Sequence, residues 1–149
     1  MRTFATVLIA LAIGGTALAP ARADEGADLK QIHATLNAMF DKPEARLAVD
    51  PIVIEQRFAI AGWTQGDMGG RGLLRKEASG WLLILCSGDG LKTPALLKEA
   101  GMSEDAAKRL ATKLAAAEAK IDPARVAQFS RFDGVVYMGK DHPAGHAGH

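Results

Sequence analysis

The sequence predicts an α+β domain: a helix, then a curved antiparallel sheet of about four strands, then further helices. Three observations carry that expectation. Near the start, apolar residues recur at three- and four-residue steps. Between Pro43 and Cys86 that period gives way to short β-type runs separated by turn residues, and after Thr93 helix caps and helical spacing return.

Taken in order, residues 27–40 place Leu29, Ile32, Leu36, Met39 and Phe40 on one stripe of an amphipathic helix, which Pro43 follows closely. A first strand is expected at 51–55 around Ile52, Val53 and Ile54. A second is expected at 57–64, where Phe58, Ile60 and Gly62 alternate with Ala59, Ala61 and Trp63. Residues 66–70, Gly-Asp-Met-Gly-Gly, read as a turn, because glycine takes positive φ at no steric cost. A third strand at 71–76 shows Arg71 and Arg75 on a polar face. After a turn at 77–80, the run Trp81-Leu82-Leu83-Ile84-Leu85-Cys86 is apolar on both faces and is expected to be the central strand.

Beyond a turn at 87–90, Thr93 is the N-cap of a helix with Pro94 at its first position and Gly101 near its end. Ser103 caps the next helix, with Glu104 and Asp105 in its first turn and Leu110, Leu114, Ala117 and Ile121 as its buried stripe. Asp122-Pro123 starts a third short helix, and Val135-Val136-Tyr137 reads as a last strand. A helix followed by a meander that wraps it, with further helices alongside, is the order of cystatin-like and nuclear-transport-factor-like folds. That likeness carries no function by itself.

The ends of the chain suggest export. Arg2 precedes the short apolar run 7–13, and Ala21-Arg22-Ala23 has small residues at the two cleavage-determining positions. A signal peptide at 1–23, cleaved after Ala23, is therefore expected, followed by one domain at 24–140 and a flexible tail at 141–149. Localisation would be periplasmic, with no membrane insertion after cleavage. Of 18 basic residues, Arg2 and Arg22 leave with the signal, so 16 face 17 acidic ones and no basic patch for nucleic acid stands out. The single cysteine, Cys86, excludes an intrachain disulfide.

Ligand chemistry concentrates at the tail. His142, His146 and His149 are spaced so that two or three imidazoles can converge on one ion, and imidazole suits Cu(II), Zn(II) and Ni(II), with copper favoured at equal availability. A flexible arm loses entropy on closing around an ion, so its site is expected to be weaker than a preformed cage. Cys86, Met68 and Met138 are soft donors of the kind that favours Cu(I). The plainer reading of each sulfur is packing: a lone cysteine on an apolar strand as a core residue, methionine as a filler of gaps. His33 is expected at a surface or in a hydrogen bond. Glu55, Asp67, Asp89 and Cys86 have no neighbouring histidine to serve as base, and the glycines fit no phosphate loop, so a non-enzyme is expected.

The run 61–74, Ala-Gly-Trp-Thr-Gln-Gly-Asp-Met-Gly-Gly-Arg-Gly-Leu-Leu, with Trp81, the segment 85–91 and the segment 129–134, resembles the copper uptake system-associated proteins, small exported bacterial proteins with a His-rich end. The resemblance covers most of the chain after residue 23. It implies a periplasmic role in copper acquisition or delivery, with an outer-membrane receptor or another periplasmic copper chaperone as partner, and it assigns no ligands. The expected function is copper capture by the tail as Cu(II), with a second site for Cu(I) at Cys86 and Met68. Two readings compete with it: a small-ligand or partner-docking module in which metal binding is incidental, and a thiol-dependent enzyme using Cys86.

Overall fold

A computed structural model describes residues 21–138 of the chain. The expected signal segment up to residue 20, and His142, His146 and His149, lie outside the described residues. Helix α1 (Ala21–Phe40) leads into five strands, β1 (Leu47–Glu55), β2 (Phe58–Gln65), β3 (Met68–Glu77), β4 (Gly80–Ser87) and β5 (Val135–Tyr137). Between the last two lie a 3-10 turn (Asp89–Lys92) and helices α2 (Pro94–Glu99), α3 (Glu104–Glu118) and α4 (Pro123–Phe129). The strands form one open antiparallel sheet in chain order. This is the α+β class expected, with five strands in place of about four and β3 at the centre.

Alternation along β2 sorts the two faces. Phe58 and Ile60 join Leu73, Leu85 and the buried residues of α2 and α3 in one core, while Ala59 and Ala61 join Leu74, Trp81, Leu83 and the α1 residues Ile32 and Leu36 in the other. Helices therefore cover both faces, α1 on one side and α2 with α3 on the opposite side, rather than all helices lying together. Ile32 and Leu36 are almost fully buried, and each contributes about 1.5–3 kcal/mol by leaving water.

Several expectations shift. The turn between β2 and β3 is only Gly66-Asp67, since Met68 already pairs with Gln65 and Gly69 with Thr64. The apolar run 81–86 lies on β4, which is next to an edge; β5 pairs only with Leu85, Cys86 and Ser87, and Leu82 is left 47% exposed. Met39 is also exposed, so the buried stripe of α1 is narrower than the sequence spacing suggests. On α3 the stripe runs through Ala106, Ala107, Leu110 and Leu114 to Glu118 rather than through Ala117 and Ile121, because Glu118 meets the buried Arg71. Thr93 precedes α2 without a side-chain capping bond, its Oγ1 donating to Gly90 O instead, whereas the next two helices are capped by side chains. Ser103 Oγ accepts from the Ala106 amide at 3.3 Å, and Asp122 Oδ1 accepts from the Ala124 amide at 2.8 Å.

One irregularity of the sheet decides where Cys86 points. Leu73 pairs with Leu85 and Leu74 with Leu83, so Ile84 is an extra residue on β4. Such a bulge reverses the alternation, and Cys86 therefore lies on the α1 side with Trp81 and Leu83, while Leu85 lies on the other.

The glycines of β3 serve the crossing of the sheet by a later segment. β4 leaves β3 at the Arg71–Ser87 pair, and through the space beside Gly69 and Gly70 the chain passes from one face to the other. Phe129 packs on Gly62 on the α3 side, whereas Phe132 packs on Gly70 on the α1 side. A Cβ on Gly69 would stand 2.7 Å from Gln128 O, and one on Gly88 would stand 2.4 Å from Phe132 O. These positions need glycine because backbone approaches backbone.

Candidate functional site

The α1 side of the sheet encloses an apolar cavity of about 270 Å³. Leu36 and Phe40 of α1 form one wall, with Leu47 of β1 beside them. Trp63 and Gln65 of β2 and Cys86 of β4 form the floor, and Phe132, Val136 and Met138 close the side near β5. Central β3 contributes no residue to this lining: on its α1 face Gly70 and Gly72 carry no side chain, and Leu74 is fully buried in the core with Ile32 and Leu36. Trp63 and Phe132 meet edge to face at 5.9 Å over Gly70 and fix that end of the cavity. Val136, on edge strand β5, is the lining residue most open to solvent, at 45%.

Polar groups in the lining are few. The Gln65 side-chain Nε2 donates to Phe40 O at 2.8 Å and to Ala45 O at 2.7 Å, which ties the end of α1 to β2 and holds the carboxamide in one orientation. The Cys86 thiol is buried, and burial pushes its pKa up to about 11. At neutral pH Cys86 is therefore a protonated thiol, not an activated nucleophile. Among the described residues no Asp, Glu, Lys, Arg or His lines the cavity.

The structure brings two of the sequence-derived sulfur ligands into this one cavity, Cys86 and Met138. Met68 is not among them. It heads β3 opposite Gln65, 49% exposed and outside the lining. His33 is exposed on α1, as expected of a surface histidine. Among the described residues no group of three or more His, Cys, Asp or Glu side chains gathers around a common point where an ion could sit. The two sulfurs, a thiol and a thioether, are soft donors by chemistry, and the cavity lining holds both.

Two charged clusters on the other face are structural in geometry. Arg71 is fully buried; its Nε and Nη2 donate to Glu118 at 2.6 and 2.9 Å, its Nη1 reaches Asp89 at 3.2 Å, and it stacks on Phe129 at 5.4 Å. This fork joins β3, the end of α3 and the 3-10 turn. The Asp89 carboxyl lies below its usual range, chiefly through the hydrogen bond from Ser130, with Lys92 and Arg71 adding to it against partial burial. Glu55 of β1 is held by Arg109 at 2.7 Å and Lys113 at 2.8 Å, both on α3. Both candidate acids thus serve in ion pairs, and Asp67 is in the β2–β3 turn, where its backbone carbonyl accepts from Arg131.

Sequence reasoning did not pick out Trp63, Gln65 or Phe132 as site residues. A signal was present, since Ala59, Ala61, Gly70 and Gly72 all face α1 and leave room that only larger neighbours can border. Among the described residues no helix is long and apolar enough to cross a membrane. Comparison of the chain with protein-family models, with curated proteins and with solved structures found no match.

Proposed function

We propose that this chain is an exported, non-catalytic copper-binding accessory protein of the periplasm. His142, His146 and His149 capture Cu(II), and the folded body assists its delivery to a partner in uptake, an outer-membrane receptor or a second copper chaperone. The observation that carries this reading is the point of attachment. The histidine-bearing segment follows Met138 in sequence, and Met138 and Cys86 line one cavity beside β5. In sequence, three imidazoles thus follow closely on one of two soft sulfur donors, chemistry suited to Cu(II) and Cu(I) respectively. In this reading Met138 takes the place beside Cys86 that sequence reasoning gave to Met68. The resemblance of residues 61–74 and 85–91 to copper uptake system-associated proteins supports the same assignment, and the helix-then-meander order supports a cystatin-like or nuclear-transport-factor-like fold.

Titration calorimetry with Cu(II), comparing the chain from Asp24 to His149 with one ending at Lys140, tests the tail. The longer chain should bind more tightly by at least about tenfold, and equal binding by both would remove the tail from the site. For the sulfur site, Cu(I) competition on Cys86→Ser and Met138→Leu should show weakened affinity in each. Unchanged affinity would return both residues to packing alone.

The cavity favours a second reading, a small-ligand module in which copper binding is incidental. Its lining is almost wholly apolar and partly enclosed, the usual character of a site for a small organic molecule. A thiol-dependent enzyme draws least support, because Cys86 is buried and its pKa is raised.

A further inference from the structure

We infer that the cavity between α1 and the sheet is a binding site for an uncharged, mostly apolar small molecule bearing one hydrogen-bond donor, which Gln65 Oε1 accepts. This rests on the second reading above and specifies its ligand. Four features of the lining set the chemistry.

Among the described residues the lining carries no charged side chain to neutralise a carboxylate, phosphate or ammonium, and burying such a group unpaired is costly. Both Nε2 hydrogens of Gln65 are already used by Phe40 O and Ala45 O, so the group this side chain has left to offer is its carboxamide oxygen, an acceptor in fixed orientation. Water is a poor occupant, since an ordered water needs two to four polar partners and the lining supplies little beyond that oxygen and a thiol. Size follows from the volume: an apolar cavity of roughly 150 Å³ takes benzene, so one of about 270 Å³ takes a molecule of roughly eleven non-hydrogen atoms. A two-ring phenol or an alcohol of that size meets all four conditions. Val136 of β5 is the half-exposed residue of the lining, and Trp63 and Phe132 add aromatic rings to it.

The test uses 1-naphthol, naphthalene and 1-naphthoate as probes, titrated into the chain from Asp24 to His149 and followed by amide chemical shifts and calorimetry. The expected result is one molecule of 1-naphthol bound, with shifts centred on Trp63, Gln65 and Cys86. Naphthalene, lacking the donor, should bind about tenfold more weakly. Naphthoate, carrying a charge, should bind at least about a hundredfold more weakly. Val136→Phe, at a half-exposed edge-strand position of the lining, should crowd the cavity and weaken naphthol binding by about tenfold without lowering the melting temperature. Failure of naphthol to bind, or binding that leaves the cavity residues unshifted, overturns the site. Equal affinity for naphthol and naphthalene overturns the Gln65 contact, and equal affinity for naphthoate overturns the requirement for a neutral ligand. Cu(II) titration of the same protein without any probe reads the tail separately, so the copper reading and the cavity can each fail alone.

Discussion

Gly69 and Gly70 look like turn residues in the sequence, and the fold uses them for something else. They lie on central β3 where the 129–132 segment crosses from one face of the sheet to the other, and a side chain at Gly69 would run into the Gln128 carbonyl. Gly69→Ala should therefore destabilise the protein by about 1–3 kcal/mol, the usual cost of overpacking where the obstacle is backbone. Gly26 is the contrasting position. It lies in α1 with nothing within 4 Å of a built Cβ, so Gly26→Ala should stabilise by about 0.5–1 kcal/mol through helix propensity alone. Urea denaturation of the two variants beside the parent measures both. A neutral Gly69→Ala would mean that the crossing is looser than its 2.7 Å approach indicates. Composition shows a glycine-rich stretch but not which neighbour makes glycine necessary, because the crossing segment lies about sixty residues further along the chain.

At the level of elements, α3 is fastened to the sheet by a charged group at two places, and the two should respond differently. On β1, the Glu55 carboxyl lies below its ordinary range because Lys113 and Arg109 hydrogen-bond it, which outweighs the effect of burial. The native state thus binds that proton less readily than the unfolded chain does. Its stabilisation is complete above the ordinary glutamate range, about pH 4.3, and is lost as pH falls through the lower native value. Thermal melts between pH 6 and pH 3 should show a falling Tm on the acid side, and Glu55→Gln should flatten part of that slope while lowering Tm at pH 6. An identical slope in the variant would assign the acid sensitivity to other carboxylates, such as Asp28. That carboxyl is raised by burial but lowered further by Lys76 and Trp81, so it too lies below its usual range. At the far end of α3, Arg71→Met leaves Glu118 buried without its cation and should cost about 3–5 kcal/mol. The double change Arg71→Met with Glu118→Leu should recover most of that loss, and a double variant as unstable as the single one would contradict this account of the pair.

For the whole molecule, the sequence was most legible where a pattern is local. The caps at Ser103 and Asp122, the alternation along β2 and the helical spacing around Ile32 and Leu36 are each set by residues within a turn or two of one another. It was least legible where a long-range contact decides. The Ile84 bulge turns Cys86 toward α1, Arg71 draws Glu118 inward at the end of α3, and β5 returns from the C-terminal side to extend the sheet beside β4. The cavity belongs to this second kind. Its wall takes residues from α1, β1, β2, β4 and β5 and from the segments flanking β5, and no window of the chain contains more than a few of them. Its chemistry nevertheless joins two residues singled out by donor type alone, Cys86 and Met138, and sets them at the edge from which the histidine-bearing segment continues.

The central claim is that those histidines take up copper. Electron paramagnetic resonance of the chain with one equivalent of Cu(II), with pulsed detection of remote imidazole nitrogen, tests it most directly. The account predicts coordination by two or three imidazole nitrogens that disappears in a chain ending at Lys140. A spectrum without imidazole coupling, or one that is the same in the shortened chain, would contradict it.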